Sequence, residues 1–117
     1  MDVLAVYSDK VVIAECKGTK SPTEYEKIDV WITKKIPAFK KWFEKQELFR
    51  NKSLEFEYWS TSGYEIAAKE ALDEFKDSYT KHKVNYFGPL EIRAFATQMK
   101  NKKLKESLDN FFLKSKV

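Results

Sequence analysis

Apolar, β-branched and aromatic residues gather in two short runs at the start of the chain, residues 2–7 (DVLAVY) and 10–17 (KVVIAECK). That enrichment favours strands over so short a span. The polar Ser8 and Asp9 between the runs suit a tight turn, so the first element is predicted to be a β-hairpin. Ser21-Pro22-Thr23-Glu24 then has the form of a helix start, with Ser at the N-cap, proline at the first helical position and Glu three residues after the cap. Ile28, Ile32, Ile36, Phe39 and Phe43 follow at spacings of three or four, one apolar helical face. Pro37 interrupts it and predicts a kink or short break near Lys35–Ile36, because proline lacks a donor and restricts the residue before it.

Further along, Leu54, Phe56 and Tyr58 alternate with Glu55, Glu57 and Trp59, the period of a strand. Ser62 with Glu65 repeats the capping pattern and opens a helix expected to turn Ile66, Ala67, Ala71, Leu72 and Phe75 inward. Val84 and Tyr86 give a short final strand before the Gly88-Pro89 turn. From Leu90 to about Lys116 the pattern is helical again, with Asn101 the expected interruption and Leu104, Leu108 and Phe111 on the apolar side. The order β-β-α-β-α-β-α predicts an α/β fold: a mixed sheet with an antiparallel hairpin at one side and helices on both faces. No repeat or low-complexity linker divides the 117 residues, so residues 1–117 are expected to form a single domain.

Composition narrows the class. A charged fraction of 34% against 43% hydrophobic residues fits a core under a charge-covered surface, and excludes a disordered chain. The net charge of +4 and pI near 9.0 are compatible with a polyanion partner. With one cysteine, Cys16, no intramolecular disulfide can form, which points to a reducing compartment. The chain opens directly on a strand pattern with no signal-peptide form, and no apolar stretch approaches the roughly 18 residues of a membrane span. A soluble, cytoplasmic domain is expected.

The chemistry concentrates on the hairpin. With the turn at Ser8–Asp9, Tyr7 faces Lys10, Val3 faces Ala14 and Asp2 faces Glu15. Directly opposed residues share a face with Cβ atoms about 5 Å apart, and Lys17, two residues beyond Glu15, points to that face as well. Two opposed carboxylates repel by some tenths to about 1 kcal/mol and call for a neutralising cation. Mg²⁺ or Mn²⁺ would serve, being hard ions that take carboxylate oxygens and keep several waters. Lys17 beside it could lower a water's pKa, take its proton, or steady a pentavalent phosphate. These are the parts for cutting a phosphodiester bond.

At this point the residues resemble a family. VLAVYSDKVVIAECKG is similar to the active-site hairpin of the restriction-endonuclease-like superfamily, the PD-(D/E)xK nucleases, with Asp2 followed by Glu15-Cys16-Lys17 in an apolar strand. WSTSGYEIAAKEALDEF resembles the strand-then-helix segment of the Mrr-like restriction branch, and NYFGPLEIRAFA its closing strand and helix; the likeness covers roughly residues 1–100. It implies a Mg²⁺-dependent DNA endonuclease in which Asp2 and Glu15 bind the metal, the backbone carbonyl of Cys16 is a further ligand, and Lys17 acts on the attacking water or the scissile phosphate. Cutting two strands often uses two sites, which suggests a homodimer. Members of the superfamily usually carry a helix before the first strand, whereas this sequence opens at the Asp, so that helix of the core is expected to be absent.

Plainer roles stand beside these. Glu15 and Lys17 could be an ion pair on a solvated strand face, although the VVIA and Cys16 around them indicate a buried strand where charges need a reason. Cys16 should point away from Glu15 into the core as a small hydrophobe, and His82, in a polar stretch, is expected at the surface. Ser60, Thr61 and Ser62 precede a helix N-terminus where phosphate could bind or where Ser62 simply caps. Lys20 and Lys69 are further candidate phosphate contacts. The basic segment KNKKLKESLDNFFLKSK reads as a solvated helical face, and Trp31, Trp42 and Trp59 as core or subunit-contact residues. The rival functions are a non-catalytic nucleic-acid-binding or assembly module retaining the fold, and an RNA nuclease with the same site.

Overall fold

A computed structural model describes residues 2–98. Strand β1 (Asp2–Val6) turns back on β2 (Lys10–Lys17), and a helical stretch follows as α1 (Tyr25–Val30), a π-helical turn (Trp31–Lys35) and α2 (Ile36–Glu44). After a 3₁₀ turn (Glu47–Phe49) come β3 (Ser53–Ser60), α3 (Ile66–Ser78), β4 (Lys83–Phe87) and α4 (Pro89–Gln98). The expected helical segment beyond residue 98, with Asn101, Leu104, Leu108 and Phe111, lies outside the described residues.

The four strands lie in the order β1-β2-β3-β4, with β1 antiparallel to β2 and the rest parallel. The hairpin is the one expected: Tyr7 N–H donates to the Lys10 carbonyl at 2.8 Å, and Val3 pairs with Ala14. β2, paired on both edges, is buried without a break from Val11 to Glu15, as interior strands of such sheets are. β3 alternates instead, with Leu54, Phe56, Tyr58 and Ser60 inward.

Two crossovers that step the same way along a parallel sheet fall on one face when both are right-handed, and α1 and α3 share a face and pack against each other. Ile28, Trp31, Ile36, Ala68 and Leu72 there meet Val11, Ile13, Phe56, Tyr58 and Val84 of the sheet in one core. On the opposite face Phe95 of α4 packs against Trp59 (5.3 Å between rings) and Phe87 (6.0 Å). The mixed sheet with helices on both faces is thus present.

Three local expectations change. At Pro37 the helix is irregular where expected but does not break: Ile36 N–H reaches back to the Trp31 carbonyl, five residues earlier. The wide turn lets the chain continue past a residue that has no N–H and whose ring crowds the preceding turn. Neither predicted capping box forms. The helices begin later, after Glu24 and Glu65, without side-chain caps. Thr23 instead joins a short bridge to Tyr64, and Ser62 bonds the Thr19 carbonyl. Because α3 starts at Ile66, its inner face carries Ala68 and Leu72 with Ala71 and Phe75 beside them, while Ile66 is 80% exposed and Ala67 also faces water.

This phase makes a contrast. Leu72→Ala should cost about 2–5 kcal/mol, read as a lower urea midpoint at unchanged slope, whereas Ile66→Ala should change stability by less than about 0.5 kcal/mol.

Candidate functional site

The hairpin register places Asp2 opposite Glu15, and the parallel register sets Glu15 beside Tyr58 and Lys17 beside Ser60. Asp2, Glu15 and Lys17 therefore share one face at the carboxyl end of the parallel strands, the end where open α/β sheets place their ligands. Glu15 is 2% exposed, and Lys17 Nζ stands 3.7 Å from its Oε1. A fourth member comes from the helical stretch: Lys35 Nζ hydrogen-bonds Glu15 Oε1 and lies 3.9 Å from Asp2 Oδ1. Lys35 closes the π-helical turn forced beside Pro37, and such turns recur at functional sites. Its sequence signal was a charge four residues after Trp31 and seven after Ile28, on the stripe that faces the core.

Burial alone pushes the Glu15 carboxyl up, but its hydrogen bond with Asp2 and the charges of Lys35 and Lys17 outweigh burial and hold it below the usual carboxylate range. Asp2 moves the other way, raised first by that hydrogen bond to Glu15, then by burial and by Glu15's charge, with Lys35 opposing. The pair behaves as one carboxylate on Glu15 and one reluctant acid on Asp2. Glu15 in turn raises Lys35, which stays charged. Tyr58 is fully buried next to Glu15; burial and that charge push its phenol well above its ordinary value, and its hydroxyl has no hydrogen-bond partner among the described residues.

The loops around the strand ends are laced together. Thr61 donates to the Lys17 carbonyl from its N–H (3.1 Å) and its hydroxyl (3.3 Å), and Thr23 N–H donates to the Gly63 carbonyl at 2.9 Å. Ser60 is buried, its hydroxyl bonded to Thr23 Oγ1 and to the Gly63 carbonyl, both at 2.8 Å, so a nucleic-acid contact from Ser60 does not fit. Thr61 and Ser62 spend their hydroxyls on the carbonyls of Lys17 and Thr19. Lys20 and Lys69 are exposed, in the loop after β2 and the first turn of α3. Cys16 lies on the face away from Glu15 and is half-buried. His82 is half-buried rather than on the open surface, packed near Phe56 and Tyr79, and burial lowers its pKa. Trp31 belongs to the core, Trp59 to the opposite face, and Trp42 to the surface.

Two carboxylates with adjacent main chain fit a Mg²⁺-type ion, which commonly uses one or two carboxylates plus waters and phosphate. Among the described residues no cluster of three or more His, Cys, Asp or Glu side chains forms. The Cys16 carbonyl points to the β1 side of β2, because carbonyls alternate along a strand and that of Lys17 points to β3. Comparisons with family models, with curated proteins and with solved structures give no match. No helix among the described residues is long and apolar enough to cross a membrane.

The two carboxylates should respond oppositely to neutralisation. Glu15's depressed pKa contributes stability that is present above its unfolded value and lost as pH falls through the folded one. Asp2's raised pKa contributes below its unfolded value and is lost as pH rises through the folded one. At pH 7, Glu15→Gln should therefore be less stable than wild type by about 1–3 kcal/mol, below the fully buried range because Lys35 is partly exposed. Asp2→Asn should be no less stable than wild type. Urea unfolding at pH 7 checks both.

Proposed function

We propose that this chain is a metal-dependent nuclease that hydrolyses phosphodiester bonds in DNA, with a restriction-endonuclease-like core acting in the cytoplasm as a homodimer. The supporting observation is the opposed pair Asp2 and Glu15 with two lysine ammonium groups within 4 Å of Glu15. Asp2, Glu15 and the Cys16 carbonyl would hold the ion, which supplies charge neutralisation and a polarised water when bound. Glu15, buried and ionised, is the fixed anchor of the set. Asp2, at the rim with a raised pKa, would be favoured in its ionised form by a bound cation. Lys17 is exposed enough to reach solvent, and from beside Glu15 its ammonium can hold the attacking water or the scissile phosphate. Lys35 offers a second cation for the negative charge that grows on phosphate in the transition state.

Lys35 also favours a second reading. It already neutralises Glu15 without any metal, which suits a non-catalytic nucleic-acid-binding or assembly module that keeps the fold. An RNA nuclease would use the same groups.

Plasmid, single-stranded and branched DNA, with RNA alongside, incubated over a range of Mg²⁺ and Mn²⁺ should separate these. Wild type is expected to cut DNA, and Lys17→Ala to be slower by about 10²–10⁴-fold. Equal cutting by both, or no cutting at any metal concentration, would sink the nuclease assignment. Mn²⁺ titration by calorimetry should show affinity rising with pH through the raised Asp2 pKa, because the ion competes with its proton. Glu15→Gln should abolish that binding.

A further inference from the structure

Beside the carboxylate pair lies an open groove of about 410 Å³ between the β1 edge and α2, lined by Asp2, Leu4, Ile13, Ala38, Phe39 and Trp42. β1 is an outer strand of the sheet. Trp42 is 41% exposed, and its ring is steadied by an edge contact with Phe49, 5.9 Å away. Leu4 and Trp42 leave apolar surface open to solvent along this trough. The helix beside it is lysine-rich, with Lys40 turned away toward Lys81 and Lys41 and Lys45 left near the groove. Lys41 and Lys45, both exposed, fall one turn apart on the helix that also presents Ala38 and Trp42. Lys35 stands at the groove's other end, against Asp2.

Resting on the nuclease reading above, we propose that this groove receives an unpaired nucleobase flanking the scissile phosphate, with Trp42 and Phe39 as the stacking platform and Lys41 and Lys45 on the phosphates. The preferred substrate is then single-stranded or locally opened DNA. Aromatic faces interleaved with lysines are what sequence-tolerant single-strand binding needs, because every base has a π-face and every nucleotide a charge. A paired base is stacked inside its duplex and cannot enter the trough. A second copy of the chain would also bury Leu4 and Trp42, but two such surfaces would bring their lysines face to face, whereas a polyanion is complementary to them.

The test is binding of the full chain to a fluorescein-labelled oligothymidylate of about 12 nucleotides, by polarisation in EDTA, so that no cutting occurs. A duplex of equal length and light scattering of the protein run in parallel. Trp42→Ala should weaken single-strand binding by about 5- to 100-fold and duplex binding by less than about twofold. Trp42→Phe should retain most of the affinity. The double variant Lys41→Ala/Lys45→Ala should flatten the salt dependence by about 0.7 for each phosphate no longer neutralised.

Unchanged affinity in both Trp42 variants would overturn the proposal, as would an equal loss on duplex or no binding by wild type. Self-association lost in Trp42→Ala with oligonucleotide affinity intact would assign the groove to a second copy instead. Because binding is read without metal, a groove that fails leaves cleavage to be judged separately. A chain that binds single strands through Trp42 yet never cuts refutes only the nuclease reading.

Discussion

A carboxylate buried in the inner strand of a sheet costs several kcal/mol unless cations and hydrogen bonds surround it, and Glu15 is such a group. Its neighbours along β2 are apolar, so the strand must be interior, and its charge must then be met from elsewhere. Lys17 meets it from the same strand, and Lys35 from a helical segment twenty residues away. Asp2 adds a second carboxyl where one is already hard to bury, and its pKa is raised in answer, first by its hydrogen bond with Glu15 and then by burial. With both carboxyls ionised, Asp2 and Glu15 would be balanced by the ammonium groups of Lys17 and Lys35.

The hairpin was legible because two local rules agree, side-chain period and a polar two-residue turn. Together they predict Asp2 opposite Glu15 from the residues of the hairpin itself. The β3 alternation was legible for the same reason. The capping boxes were not, because hydroxyls in these segments bond far along the chain: Thr23 with the Ser60 hydroxyl, and Ser62 with the Thr19 carbonyl. Both partners are about forty residues distant, outside any local window. The misplaced inner face of α3 follows from the start of the helix. Beginning at Ile66 instead of at the Ser62 cap leaves Ile66 at the open first turn and Ala68 inside. Lys35 was hidden by the same limit, since nothing in its own segment announces Glu15.

Pro37 connects local chemistry to the site. A proline in mid-helix leaves one carbonyl without its usual donor and presses its ring on the turn before it. Here the chain answers with a π turn, which inserts an extra residue and resets the helix phase between Trp31 and Ile36. Trp31 and Ile36 both stay in the core, so the residue between them that closes the turn is held at the sheet, at the level of Glu15. A lysine there places its ammonium on the carboxylates from a half-buried position, the boundary long cationic side chains prefer.

The register that aligns the charges is held from the opposite end of the hairpin. Lys52 donates to the carbonyls of Tyr7 and Ser8, and Ser53 N–H donates to the Asp9 carbonyl at 3.0 Å, tying the turn to the start of β3. A one-residue slip would turn Glu15 to the other face, so these bonds hold the carboxylate cluster even though they lie a full strand away from it. The helix adds a second fixed distance. Lys35 and Trp42 are seven residues apart on one continuous helical stretch, about 10 Å along its axis. Charge cluster and aromatic groove are therefore set by rigid elements rather than by loops, which fixes the distance between them.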